Sequence, residues 1–259
     1  MSKIITIAGQ KGGTGKSITA VNLATSLALL GKKTLLIDCD PQACSTQWCG
    51  IKDLDYKCDI TSVLSGRAKV IDAVVRTRIN GLDIMPARFN LFQVALKLSK
   101  NSGNEKILRF FLKDIEDEYA YIIIDSPSSY SFLSVTAMTA ADWLLVCMSA
   151  QHNSIEDFYS LLQMVQYIRT THNVPLKIAG LLFNRSETKK QIEFFMENQN
   201  LSDVKELVYN TFIPNDVAIQ KSMELKIPVV LHDIKSPAAK AYLSAADELH
   251  FFFKQRGVS

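Results

Sequence analysis

The stretch Gln10-Lys11-Gly12-Gly13-Thr14-Gly15-Lys16-Ser17 constrains this chain more than any other part of it. It follows an apolar run, Ile4-Ile5-Thr6-Ile7-Ala8, whose continuity is that of a parallel strand buried on both faces. It precedes a segment in which Ile18, Val21, Ala24, Leu27 and Ala28 recur with helical period. Strand, glycine-rich loop and helix in that order favour a phosphate-binding loop over an ordinary tight turn. Gly12, Gly13 and Gly15 let the backbone curl and aim its N–H groups at phosphate, with Thr14 between them. The helix that begins near Lys16 adds the positive end of its dipole. The pattern assigns Lys16 to the β- and γ-phosphates and the Ser17 hydroxyl to Mg²⁺.

The 259 residues suffice for one large domain with a substantial core, and no linker, repeat or low-complexity stretch divides them. Residues 1–259 are therefore expected to form a single domain. A charged fraction of 21% beside 47% hydrophobic residues is that of a soluble globular protein. The net charge of +3 imposes no global basic field, which leaves only local patches for nucleic acid. No apolar run reaches the roughly 20 residues of a membrane span, and the immediate strand leaves no room for a signal peptide. Cys39, Cys44, Cys49, Cys58 and Cys147 contain no Cys-x-x-Cys pair; reduced thiols are favoured over a metal site built from Cys44, Cys49 and Cys58.

Further apolar runs read as strands at 34–37, 81–86, 121–125, 143–148 and 178–183, with another at Thr211-Phe212-Ile213. Helical patterns lie between them. One carries Ile107, Leu108, Phe111, Leu112 and Ile115. Another carries Ile155, Phe158, Leu162, Val165 and Ile168 after a cap at Asn153 or Ser154. The last opens at Ser236-Pro237. Short helical patterns surround 61–64 and 70–75. This alternation predicts an α/β fold with a doubly wound, mostly parallel sheet and helices on both faces. Ligands of such sheets sit beyond the carboxyl ends of the strands, where Asp40, Asp125, Asn184 and the glycine loop all fall. Asp125 ends a wholly apolar strand, where a carboxylate is costly unless paired or near a metal; the competing reading is an N-cap for the next helix. Asp38-Cys39-Asp40-Pro41 is either a plain turn or a second delivery of carboxylates to the same sheet end.

The spacing Lys-Gly-Gly-Xaa-Gly-Lys-Ser, with Lys11 as its early lysine, resembles the deviant phosphate loop of the ParA/MinD family of ATPases. Nearly the whole chain takes part in the likeness. Asp38 to Gln42 is similar to the family's Asp-Xaa-Asp-Pro-Gln switch, Ile213 to Val217 to the segment lining its adenine pocket, and residues 236–242 to its final helix. The resemblance implies an ATP hydrolase that uses ATP and Mg²⁺ and works as an ATP-sandwiched homodimer. Lys11 would reach the partner's nucleotide, Asp40 would orient the attacking water, and Asp38 and Asp125 would serve the Mg²⁺ with Ser17. Asn184, Arg185, Pro214, Asn215 and Asp216 would lie at the base, although Asn184 also reads as a strand-end turn residue.

Two branches of the family compete. The small partition ATPases, similar to Soj, bind DNA non-specifically and are released by a ParB-like activating adaptor, which implies a cytoplasmic, nucleoid-associated protein. The MinD-like alternative binds membrane through an amphipathic tail. Tyr242, Ala245, Leu249 and Phe252 form one stripe that reads as core, leaving Phe251, Phe253, Lys254 and Arg256 for a lipid surface, so the partition branch is favoured. Lys189 matches a basic position that partition members use on DNA, and Arg185, Lys190, Lys221 and Lys226 are candidates to join it; a solvated charged face is the bland alternative. The chain departs from the family at Ser128, where a second proline is common after the aspartate, and at Asn215 and Ala218, where partition members often carry arginine. It lacks an extension for a helix-turn-helix, which argues against operator recognition. A scaffold that binds ATP only to dimerise is disfavoured by the presence of Asp40.

Overall fold

The computed structural model describes residues 2–9, 12–128, 130–149, 155–173, 175–198 and 202–257. Lys11 and the proposed caps Asn153 and Ser154 lie outside the described residues. Among the rest, β1 (Lys3–Ala8), β2 (Thr34–Asp38), β3 (Val75–Arg76), β4 (Leu82–Met85), β5 (Tyr121–Asp125), β6 (Trp143–Ser149) and β7 (Lys177–Asn184) form one sheet. Its order is β3-β4-β2-β5-β1-β6-β7, parallel throughout except for the β3–β4 pair at the edge. The expected doubly wound sheet is therefore present. The Thr211–Ile213 run differs: it contributes one isolated bridge, Ile213 to Asn184, because the chain there runs beside β7 for a single pair before turning into the next helix.

Successive residues of each strand serve opposite layers. Ile4, Leu35 and Ile122 belong to one core, while Ile5, Leu36 and Ile123 belong to the other. The first layer is covered by α3 (Ile60–Leu64), α4 (Leu91–Leu98), α5 (Ile107–Leu112), α6 (Phe132–Ala140), α7 (Ile155–Thr171) and α8 (Lys189–Asn198). The second is covered by α1 (Lys16–Leu29), α10 (Val229–His232) and α11 (Pro237–Gln255). Two shorter-range pieces, α2 (Cys44–Trp48) and α9 (Val217–Leu225), flank the sheet's carboxyl end.

The helix α1 has one periodic apolar face, yet Asn22, Thr25 and Ser26 are buried too. Helix α11 packs over its outer side, and the polar groups turn inward: Asn22 Nδ2 donates to the Ile18 carbonyl and Thr25 Oγ1 to that of Val21. As the sequence implies, α11 starts with Ser236 accepting from the Ala239 N–H and with Pro237 in its first turn. Helices α4, α6, α8 and α9 were not legible as such. In α6, for example, apolar and small residues run all round, so no stripe marks it.

Candidate functional site: a phosphate loop beside two buried carboxylates

The loop leaving β1 turns back under α1. Gly13 and Gly15 hold left-handed conformations, φ +84° and +85°. A Cβ on Gly15 would also lie 2.9 Å from the Asn184 amide nitrogen, so both torsion and space require glycine there. Gly9, which the sequence reading passed over, is needed for space alone: a Cβ would meet the Cys147 carbonyl and Thr14 Oγ1 at 3.0 Å each. Gly12 is exposed, Ser17 half-buried, and Thr14 and Lys16 buried. Gly15 is the N-cap of α1, and no side chain caps it. The orphan N–H groups of the first turn thus face the loop as an anion-binding end. Burial lowers the pKa of the Lys16 ammonium, while the charges of Asp125 and Asp40 oppose that shift.

The two carboxylates meet through sheet register, since Asp38 and Asp125 are cross-strand partners at the ends of β2 and β5. Both are fully buried. Burial raises both pKa values, and the Asp125 charge raises Asp38 further. Ser131, not Asp125, caps α6, so the N-cap reading of Asp125 falls away. Asp125 Oδ2 accepts from Ser45 Oγ at 2.6 Å, whereas its buried Oδ1 has no hydrogen-bond partner. A buried, unpartnered carboxylate oxygen beside the Ser17 hydroxyl fits a hard cation. No group of three or more His, Cys, Asp or Glu side chains among the described residues is arranged to hold a metal. A cation here must therefore complete its shell with oxygens from phosphate and water, as Mg²⁺ does. All five cysteines are free thiols.

Asp38 is committed differently. Its Oδ1 accepts from the Asp40 N–H at 3.1 Å, and its Oδ2 from the Thr46 N–H and Thr46 Oγ1, each at 2.8 Å. Thr46 Oγ1 in turn accepts from the Ala87 N–H at 3.0 Å. Asp38 therefore supports the site by anchoring the 40–46 turn, with its oxygens already taken. Asp40 stands half-exposed at the rim, and its Oδ1 accepts from the Gln42 N–H at 2.9 Å. Ala43 follows at φ +53°, a costly conformation for alanine that the anchored turn sustains. Ser45 and Thr46 were missed in the sequence because α2 is too short to show a period; a Ser-Thr pair just past the Asp-Xaa-Asp turn was the only signal.

On the other side of the loop, buried Asn184 donates through Nδ2 to the Thr14 carbonyl at 2.8 Å and to Thr19 Oγ1 at 3.3 Å. Thr19 Oγ1 also pairs with the Tyr242 hydroxyl at 3.4 Å. The Ile213 N–H donates to Phe183 O and the Ser186 N–H to Ile213 O, which brings Asn184 and Arg185 against the 213–216 segment. Arg185 is exposed at φ +54°, Pro214 half-buried and Asn215 exposed. Asp216 spends both oxygens on structure: Oδ1 caps α9 at Ala218 N, and Oδ2 accepts from Ala238 N in α11.

The basic candidates fall into two groups. Arg185, Lys189 and Lys190 lie exposed on the β7–α8 connection and the first turn of α8, where Lys189 shares a hollow with Glu193, Glu197 and Lys205. Lys221 and Lys226 lie on α9 and its cap, and Lys226 lines a different hollow with Pro41, Gln47, Lys52 and Arg88. The tail reading needs correction. Phe253 is 1% exposed and packs on Trp143 and Tyr121, and only Phe251 is an exposed aromatic of that segment. The helix presents Phe253 inward because its buried stripe continues from Tyr242, Ala246 and Leu249 at a spacing of three to four residues. Among the described residues, no helix is long and apolar enough to cross a membrane.

A sequence profile of the AAA domain family matches residues 2–178. The chain is 33% identical over 249 residues to a chromosome partitioning protein ParA of Caulobacter vibrioides, covering 95% of this chain and 93% of that one. It is 32% identical to the sporulation initiation inhibitor protein Soj of Bacillus subtilis, covering 96% and 98%. In structure it is similar to the septum site-determining protein MinD of Pyrococcus horikoshii, complexed with Mg-ADP: TM-score 0.80, 25% identity, 96% of each chain. It is also similar to a cobyrinic acid a,c-diamide synthase of Mycobacterium smegmatis with bound ADP and magnesium: TM-score 0.84, 25% identity, 98% of this chain and 96% of that one.

Proposed function

This chain belongs to the ParA/MinD family of ATPases, and we propose that it positions or segregates a cargo as an ATP-bound homodimer on DNA. It is an ATP hydrolase that uses ATP and Mg²⁺. The observation that carries the reading is the uncapped start of α1, with Lys16 behind it and the unpartnered Asp125 Oδ1 beside it. In our reading the N–H groups of residues 12–17 and the Lys16 ammonium bind the β- and γ-phosphates. Ser17 and Asp125 hold Mg²⁺, which offsets negative charge on the phosphates when bound. Asp40, held at the rim by Asp38, orients the attacking water and accepts its hydrogen bond. Lys11 from a partner copy supplies positive charge where the transition state is most anionic. Asn184, Arg185 and the 214–216 segment form the base side.

Residues 1–259 form one domain in this proposal, a reading supported by α11 packing back on α1. The ATP dimer presents two copies of the Arg185, Lys189 and Lys190 surface to duplex DNA, without sequence preference. A ParB-like or other adaptor stimulates hydrolysis and releases it. The protein then works on the nucleoid, in the cytoplasm. The burial of Phe253 weighs against the MinD-like membrane alternative. Gel filtration with and without ATP, repeated with non-specific DNA and with liposomes, tests this reading. An ATP-dependent dimer that co-elutes with DNA at low salt is expected. ATP-dependent liposome binding with no DNA binding would overturn it.

A further inference from the structure

Helix α2 follows the Asp40 turn directly and is five residues long. Its buried residues are not apolar but Ser45 and Thr46. A buried hydroxyl costs free energy unless it is bonded, and alanine is the better helix former at either position. The partners of the two hydroxyls offset that cost, and they are the two carboxylates of the site. Thr46 Oγ1 donates to Asp38 Oδ2 on β2 at 2.8 Å. Ser45 Oγ reaches the neighbouring strand and donates to Asp125 Oδ2 on β5. At 2.6 Å this bond has the length of a charge-assisted O–H···O⁻ contact, whereas the Ser17 carbonyl at the start of α1 lies 3.4 Å from the same hydroxyl.

The terminal torsion of an aspartate is broad, so a carboxylate held at neither oxygen can swing its charge through a wide arc. Ser45 holds Oδ2 of Asp125, and the buried, unpartnered Oδ1 then keeps one direction. Mg²⁺ demands near-ideal octahedral geometry, so the direction of a ligand oxygen matters more to it than to a larger cation. A hydrogen bond to the second oxygen of a ligating carboxylate supplies that orientation. The same bond reaches back to Asp40. The Ala43 N–H donates to the Asp40 carbonyl and the Gln42 N–H to Asp40 Oδ1, each at 2.9 Å, and Ala43 is held at φ +53°. The turn is fastened at one end to Asp38, through the Asp40 N–H, and at the other to Asp125, through Ser45. We propose that Ser45 is a positioning residue for ATP hydrolysis: its hydroxyl holds Asp125 Oδ1 ready for Mg²⁺ and joins the turn that carries Asp40 to that carboxylate. The proposal rests on the reading of Asp125 as a Mg²⁺ ligand, and it gives Ser45 no contact of its own with nucleotide or metal.

Isothermal titration with ATP, in excess Mg²⁺ and again in EDTA, tests the proposal, because the ratio of the two affinities isolates the contribution of the metal. Ser45→Ala should reduce that ratio by about 10- to 100-fold while leaving the affinity for metal-free ATP near that of wild type. Ser45→Cys, similar in size with a weaker donor, should lose less of the ratio. It carries the test if circular dichroism melts show that the alanine variant does not fold. At saturating Mg·ATP, Ser45→Ala should still turn over more slowly than wild type, since the Asp40 turn has lost its bond to Asp125. A wild-type ratio in both Ser45 variants would overturn the proposal. So would equal losses of affinity in EDTA and in Mg²⁺, which mark a loosened fold, or a wild-type rate in Ser45→Ala at saturating Mg·ATP. Asp125→Asn separates the proposal from the reading beneath it. A ratio lost in Asp125→Asn but kept in the Ser45 variants removes Ser45 alone. A ratio unchanged in Asp125→Asn removes the metal role of Asp125, and the proposal with it.

Discussion

Asn184 Nδ2 donates to the Thr14 carbonyl at 2.8 Å, joining the end of β7 to the phosphate loop across 170 positions of sequence. The same amide limits residue 15 to glycine. Asn184 is thus a strut of the loop, in addition to the base-side role proposed for it. Asn184→Ala removes this buried hydrogen bond, at a cost of about 0.5–1.5 kcal/mol. Isothermal titration is expected to find ATP and tripolyphosphate, which has no base, weakened by similar factors. Weakened ATP with unchanged tripolyphosphate would assign Asn184 to the base alone.

The two lysines of the loop should separate binding from chemistry. Lys16→Ala is expected to abolish nucleotide binding, since a buried ammonium at the helix start has no substitute. Lys11→Ala should bind ATP and lose hydrolysis, as an interaction worth several kcal/mol in the transition state alone would dictate. Wild-type turnover in Lys11→Ala would remove the role in trans.

Asp40→Ala should bind Mg·ATP and accumulate as a dimer. The substitution removes the group proposed to orient water but leaves the loop, Lys16 and Asp125 intact. Light scattering at saturating ATP reads this directly; a monomer there would reject the assignment.

The raised carboxylates make nucleotide-free stability depend on pH in a stated direction. Asp125 holds its proton more tightly folded than unfolded. Its contribution therefore favours the fold below the ordinary carboxylate range near pH 4 and is lost as pH rises past that range towards neutrality. Asp125→Asn removes the charge while keeping an acceptor for Ser45. Thermal melts should fall less between pH 5 and pH 8 in this variant than in wild type, while Mg²⁺-dependent ATP binding weakens. Parallel melting curves would show that Asp125 does not set the pH dependence.

Local pattern carries far in this protein. The Gly12–Lys16–Ser17 spacing, the apolar runs of β1, β2, β5, β6 and β7, and the Ser236-Pro237 start of α11 were legible because each rests on neighbours in sequence: torsion, period and capping. Asp38, Asp40 and Asp125 were recognisable as carboxylates at strand ends. Which oxygens were already taken was decided only by the fold. Sheet register sets Asp38 against Asp125, and α2 brings Ser45 and Thr46 onto them, leaving Asp125 Oδ1 as the vacant acceptor. Contacts over such separations carry no sequence signal, since Asn184 and Thr14 need not look related to meet. The inward turn of Phe253 follows from the same cause: three adjacent phenylalanines offer several stripes, and packing on Trp143 and Tyr121 selects one.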